Sequence, residues 1–431
     1  MSKARGSILR KRLHTSLRYL FSSLPKAWRF EIYRRMVHSD PAPSERLELK
    51  IADTQEELEA CFKLLHDAYV GAKFMKPDPS GMRITIYHAL PTTTTLCAKF
   101  DGKVVGTLSL IREGVFGFPL QSIFDLSDVR ARSGQIAEVS ALAVHPDFRK
   151  TGGAILFPMM KFMRQYCSEY FDTRHLVIAV NPDKIELYEA LLFFGRLREN
   201  EVESYDFANG APAVGASLDL AAAREMSRAG YKNRPIEKNI YRYMFELDLP
   251  NIKLPQRRYH TTNDPVLTPA LLNYFFNHCS PVLDRLDDRK KALLWTIYDS
   301  VEYRSVLPML SGTERQSEHP LRRHRRYSLR CPGQIILNHA QGTKKIELEV
   351  IEISFSGLQA ECEVDLPMHH DVEAIIQLGV GEISNVHVKA VRVQDAESGQ
   401  RYYGFKIDEP DPVWRSCVSA FEMGQTHSDL A

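Results

Sequence analysis

The sequence predicts a chain of two structural classes in series: a mixed α/β domain with a helical extension, followed by a small all-β barrel. Three observations carry this. At 431 residues the chain is longer than the roughly 250–300 residues at which one hydrophobic core stops growing. From Leu47 onward, strand-like and helix-like segments alternate, which is the order of an α/β domain. After about residue 320 the apolar period becomes two, as in Val386-His-Val-Lys-Ala-Val-Arg-Val393, with Gly or Pro between five or six short segments.

Composition sets outer bounds. Hydrophobic residues at 44% and charged residues at 26% exclude collagen-like, disordered and disulfide-scaffold classes. The formal charge of +2 excludes a chain basic throughout. The seven cysteines are scattered and form no CxxC pair, so they read as reduced thiols, and no metal-ligand spacing appears. No run of about 18 apolar residues exists, and the expected location is cytoplasmic.

Residues 1–44 form a basic arm. Its first forty residues hold ten Lys or Arg against Glu31 and Asp40 alone. Leu9, Leu13, Leu17, Leu20 and Leu24 recur at helical spacing, Pro25 interrupts, and Trp28, Ile32 and Met36 resume a face. Such a helix, over residues 1–36, suits an anionic surface peripheral to the inner membrane. A helix packed on the rest of the protein fits equally well, and an Arg-rich transit peptide has similar composition.

Residues 45–250 form the α/β domain. A strand is expected over Leu47 to Ala52, a helix over Glu56 to Tyr69, and a polar loop around Pro77 to Gly81. A hairpin follows, Thr95 to Phe100 and Val104 to Leu110, turned by Asp101-Gly102. A strand from Ile136 to Val144 leads through a glycine turn into a helix from about Gly152 to Tyr170. Leu176 to Val180 is the next strand, a helix runs through Tyr188, and Tyr241 to Leu247 reads as a closing strand. Residues 251–310 read as a helical extension, 311–320 as a linker and 321–431 as the barrel.

The chemistry-bearing motif of the first domain is Arg149-Lys-Thr-Gly152-Gly153-Ala154 between a strand and a helix. Glycines let a ligand approach the backbone, helix-start amides suit phosphate, and Arg149 and Lys150 add charge. A tight strand-to-helix corner is the plainer alternative. Downstream stand Asn181-Pro182, Tyr188 and Phe194-Gly195.

Together these resemble the GNAT acyltransferase superfamily over about residues 47–247, whose pyrophosphate loop is matched by Arg149, Gly152 and Ala154. The resemblance implies that Arg149, Lys150, Gly152, Gly153, Ala154 and Asn181 hold a thioester donor, acyl-CoA or acyl carrier protein. It further implies that Tyr188 protonates the leaving thiolate. An attacking amine must be uncharged, and Glu138, on the strand before the turn, is the candidate base. An exposed carboxylate paired with a Lys or Arg is the alternative for Glu138, and a core ring for Tyr188.

The long excursion Ala68 to Pro79 and the helical extension make the chain look more like acyl-homoserine-lactone synthases and, closer still, long-chain N-acyl amino acid synthases. Phe157, Met159, Met160, Phe162 and Met163 would then line a lipid tunnel, although an ordinary core is the commoner use of such a stripe. Lys161 and Arg164 would meet an acidic carrier protein or solvent. Pro158, read as lying inside the helix after the turn, is expected to kink it. That departure speaks for the alternative of a non-catalytic signalling adaptor, whereas Arg149, Gly152, Asn181 and Tyr188 together favour the enzyme.

In the second domain, Arg322-Arg323-His324-Arg325-Arg326 precedes the first strand, and Glu352-Ile-Ser354-Phe-Ser-Gly357 sits at a turn. These resemble the PilZ family, Arg-x-x-x-Arg followed by Asp/Asn-x-Ser-x-x-Gly, with Tyr402-Tyr-Gly404-Phe405 as the closing strand. The resemblance implies a six-stranded barrel and a cyclic di-GMP site of Arg322, Arg323, Arg326, Glu352, Ser354 and Gly357. Arginine forks suit phosphates and the guanine O6/N7 edge. Glu352 stands where the family has Asp or Asn, and no sequence-specific nucleic-acid binding is expected.

Overall fold

The computed structural model describes residues 21, 23–149, 151–171, 173–198, 203–205, 210–262, 267–298, 301–310, 326–339, 342–395 and 401–423. The linker at 311–320, Lys150, Arg322 and Arg323 lie outside them.

Helix α1 (Lys26–Met36) precedes strand β1 (Leu47–Ile51) and helix α2 (Gln55–Gly71). Thr54 caps α2 by accepting from the Glu57 N–H. Strands β2 (Thr93–Phe100), β3 (Lys103–Arg112) and β4 (Gln135–Val144) follow, then α3 (Leu156–Tyr170), β5 (Thr173–Val180) and α4 (Pro182–Leu192). Short strands β6 (Gly195–Arg196) and β7 (Glu203–Tyr205) lead to β8 (Ala211–Asp219), α5 (Leu220–Gly230) and α6 (Ile240–Phe245). The sheet runs β1-β2-β3-β4-β5-β8-β6, with β7 on β8. All its pairs are antiparallel except β4 with β5.

Two sequence expectations are corrected. Tyr241 to Leu247 is not a strand: Asn239 accepts from the Arg242 N–H and starts helix α6. The strand that pairs β5 is instead β8, whose small residues are held by their neighbours; a β-carbon on Gly215 would press on the Phe124 ring. Pro158 does not lie in the interior of its helix, where it would break a hydrogen bond. Helix α3 begins at Leu156, so Pro158 occupies the first turn, where an N–H would have had no intrahelical partner.

Helix α1 rests on α4. Arg29 makes a forked pair with Glu186 (2.6 and 3.2 Å), Lys26 meets Glu189 at 2.8 Å, and Arg34 donates to the Ala190 carbonyl. Residues 26–36 are therefore packed on the rest of the protein, with Trp28 and Met36 exposed, while residues 1–20 are not described. No helix among the described residues is long and apolar enough to cross a membrane.

The helical extension, α7 (Pro269–Asn273) and α8 (Asp288–Ile297), packs on α2: Leu272, Phe275, Phe276, Leu294 and Tyr298 share a core with Phe62 and Leu65. Strands β9 (Arg326–His339), β10 (Gly342–Ser354), β11 (Gly357–Cys362), β12 (Asp371–Gly379), β13 (Glu382–Asp395) and β14 (Arg401–Ile407) close a barrel in the order β10-β11-β14-β13-β12-β9. Inward residues such as Leu348, Val350, Ala374, Ile376, Val386 and Val388 fill it. Helix α9 (Pro412–Glu422) plugs it with Trp414, whose indole donates to the Ser354 carbonyl at 2.9 Å.

Residues 255–262 tie the two parts together. Arg257 donates to the Tyr166 hydroxyl at 2.7 Å and lies over the Tyr170 and Phe171 rings. Arg258 pairs with Glu382 of the barrel at 2.6 Å, and Tyr259 is buried in the barrel core. Gly379 must lack a side chain because a β-carbon there would strike the Arg258 carbonyl. Thr262 accepts from Arg112 at the end of β3, and its N–H points to Ser328 of β9.

Candidate functional site

Strands β4 and β5 pair only from Gln135/Thr173 to Glu138/Val177, then part. The cause lies in β4. Between Thr107/Ala143 and Ser109/Ser140 the β3–β4 register shifts, and Ala141 sits at φ +55°, a left-handed bulge costly for a residue with a β-carbon. A cavity of about 280 Å³ opens in the gap, lined among others by Glu138, Val139, Ser140, Ala141, Ile178, Asn181, Lys184 and Tyr188. The β4 edge facing it has no β5 partner, so its backbone polar groups are available to a bound carbonyl.

Glu138 is 1% exposed. No Lys or Arg pairs with it among the described residues; its Oε2 accepts from the Leu120 N–H at 3.0 Å, which departs from the exposed, cation-paired alternative. Burial pushes its carboxyl up to about 8, against smaller opposing effects from the Leu120 and Ser140 hydrogen bonds. Across the cavity Tyr188 stacks edge-on with Phe194, centroids 6.0 Å apart, and burial raises its phenol. It therefore stays protonated at neutral pH, as a proton donor must. Asn181 uses Oδ1 to cap α4 by accepting from the Asp183 N–H at 2.9 Å, leaving its NH₂ for a ligand.

The cavity thus joins Glu138, Asn181 and Tyr188, but the glycine turn does not line it. That turn follows the open end of β4. Gly152 (φ +68°) faces open space, and Gly153 (φ +94°) packs so closely on Phe157 that a β-carbon would collide with the ring. Arg149 is exposed and anchored by its Nε to the Val144 carbonyl at 2.8 Å. Ala154 donates weakly to Thr151 at 3.4 Å.

Among the lining residues not singled out in the sequence are Tyr69, Phe74, Lys184 and Tyr205. Lys184 had a signal, standing four residues before Tyr188 on the same helix face. Tyr205 had none, because it reaches the site only through the β7–β8 pairing.

The apolar residues of α3 divide. Met160 lines both the main cavity and a second, apolar one of about 50 Å³, as does Phe194; Met163 lines only the second. Met159 and Phe162 are fully packed core, and Phe157 packs beside that core. The carrier-protein expectation for Lys161 fails: it is 1% exposed and donates to the Met244 carbonyl at 3.3 Å. Arg164 is half-buried over the Phe245 ring.

In the barrel, Arg326 on β9 pairs with Glu352 on β10 at 2.6 Å, and Ser354 lies opposite Arg326 in register. The Ser354 hydroxyl donates to the Gly357 carbonyl at 3.2 Å. Gly357 has no room for a β-carbon, which would meet the Phe405 carbonyl.

Residues 60–219 match the family model described as N-acyl amino acid synthase FeeM. FeeM from uncultured soil microbes is similar at 23% identity and TM-score 0.36, covering 43% of this chain and 96% of that one. BjaI, a CoA-dependent acyl-homoserine lactone synthase solved with SAM and isopentyl-CoA, is similar at 19% identity and TM-score 0.32, covering 46% and 97%. The PilZ domain of YcgR from Escherichia coli, solved with c-di-GMP, is similar at 14% identity and TM-score 0.21, covering 24% and 92%. No curated protein matches the chain. The chain is thus similar over residues 60–219 to the N-acyl amino acid synthase FeeM family, and its C-terminal part is a closed six-stranded antiparallel barrel.

Proposed function

We propose that the α/β domain is an N-acyltransferase that moves an acyl group from a CoA or carrier-protein thioester to an amine such as an amino acid, under control of cyclic di-GMP bound by the barrel. The observation that carries the first part is the position of Glu138: a buried carboxyl with no cation partner among the described residues, in the gap between parted strands and sharing its cavity with Tyr188. The family-model match over the same segment supports it.

In this reading Glu138, once ionised, takes a proton from the amine directly or through water. The nitrogen attacks the thioester carbonyl, whose oxygen is polarised by backbone N–H groups of the unpaired β4 edge. The C–S bond breaks, and Tyr188 gives its proton to the departing sulfur. The glycine turn and Arg149 sit where β4 opens, suited to the donor's phosphate. The apolar cavity of about 50 Å³ behind Met160 and Phe194 adjoins the main one and has room for only a short part of an acyl tail.

For the barrel, Arg326, Glu352, Ser354 and Gly357 are proposed to hold cyclic di-GMP, together with Arg322 and Arg323. Residues 255–262 would carry the response, because they touch Ser328 beside Arg326 and Arg112 at the end of the strand opposite Glu138. The adaptor alternative loses its main support, since Pro158 lies in the first turn of α3, where it removes no intrahelical hydrogen bond.

Lipid extracts of cells overproducing the chain are the test. A new N-acylated amine, absent with Glu138→Gln, is the expected result; its absence from both extracts would sink the transferase reading. Binding is tested separately by titrating cyclic di-GMP into the full chain and into Arg326→Ala.

A further inference from the structure

One wall of the barrel carries a row of residues that the signature motifs do not include. Glu352 on β10 lies opposite Gln359 on β11, Gln359 opposite Gly404 on β14, and Gly404 opposite Arg392 on β13. The row faces outward, since its neighbours Leu358, Ala360 and Phe405 point into the core. Arg326 is fastened to Glu352 at one end, and Arg392 stands at the other.

Arg392 differs from the other arginines of this wall. Arg326, Arg330 and Arg401 each pair with a carboxylate, whereas among the described residues none pairs with Arg392. A β-bulge puts it there: the β13–β14 register shifts between Ala390 and Arg392, leaving Val391 and Arg392 both exposed in succession. Its side chain lies across Gly404. A β-carbon added to that glycine would sit 3.6 Å from Arg392 Cβ and 3.7 Å from its Nε. The missing side chain makes a shallow seat in which the planar guanidinium can lie along the strand with its outer face open. Val391 and Val393, both exposed, flank it.

We infer that Arg392, seated on Gly404, is a stacking platform for one purine base of the cyclic dinucleotide, opposite the phosphate-binding end at Arg326. The inference rests on the cyclic di-GMP reading of the barrel and adds a second pole to it. From β10 to β13 are three strand spacings, about 14 Å along the curved wall. A ring with two bases and two phosphates spans that distance once the arginine side chains reach inward. A guanidinium plane binds a base by stacking and charge together, which an ammonium cannot reproduce.

The test is calorimetric titration of cyclic di-GMP into the full chain and three variants, each checked for an unchanged melting temperature. Arg392→Ala should weaken binding by about 5- to 100-fold, and Arg392→Lys by nearly as much, because it keeps charge and loses the plane. Gly404→Val should also weaken it, by lifting the guanidinium from its seat in a strand position that tolerates a β-branched residue. Wild-type binding with Arg392→Ala within twofold of it would overturn the platform and leave the Arg326 site standing. Full affinity in Arg392→Lys would overturn stacking as its basis. No binding by the wild-type chain would overturn the cyclic di-GMP reading itself, and this inference with it.

Discussion

Burial keeps Glu138 protonated up to about pH 8, so the residue proposed as the base is neutral over most of the physiological range. Transfer governed by its ionisation should rise with pH, nearly tenfold per unit below about 8, and level off above. Stability runs the other way. The unfolded carboxyl ionises near 4.5 and the folded one near 8, so the wild-type protein loses folding free energy as pH rises across that window. Glu138→Gln should abolish most activity, by about 10²- to 10⁴-fold. It should also melt higher than the wild type at pH 9 and much closer to it at pH 5, a pattern read by melting curves at the two pH values. Tyr188→Phe keeps the ring against Phe194 and removes only the proton, so it should lower kcat by about 10²-fold with little change in melting temperature.

At the scale of elements, α1 holds the outer side of the helix that carries Asn181, Lys184 and Tyr188. Arg29→Ala removes a forked, half-buried pair with Glu186 and should cost about 1–3 kcal/mol, measured by denaturant unfolding. The elements also mark what the sequence makes readable. The barrel strands were legible because each has one buried face, as in Val386 to Val393, and the signature residues fell at one end of it. The glycine turn and Asn181 were legible because capping and positive φ need particular residues at fixed spacing. Strand β8 was not, since Ala211 to Asp219 is poor in β-formers and is a strand only because Phe124, Leu197 and β5 enclose it. The aromatic run Tyr241 to Phe245 was misread because its alternation imitates a strand, while the deciding signal was the Asn239 cap. That Glu138 is buried could not be read either, because the residues that bury it come from elements distant in sequence.

For the whole molecule, residues 255–262 are the link between barrel and α/β domain among the described residues. Arg257→Ala empties the aromatic seat formed by Tyr166, Tyr170 and Phe171. Gly379→Ala forces the barrel away from the Arg258 carbonyl. Both variants should still bind cyclic di-GMP, yet transfer should no longer change when it is added, as measured by thiol release with and without the nucleotide. The near-neutral total charge conceals this division of labour, with cations gathered in the arm and before β9. The central claim is that the parted β4–β5 strands hold an acyl-transfer centre built on Glu138. It is tested most directly by incubating purified full chain with a long-chain acyl thioester and the amine identified in lipid extracts, following release of free thiol. The account predicts thiol release matched by N-acyl product in the wild type and neither in Glu138→Gln; equal rates in the two proteins, or no product from the wild type, would contradict it.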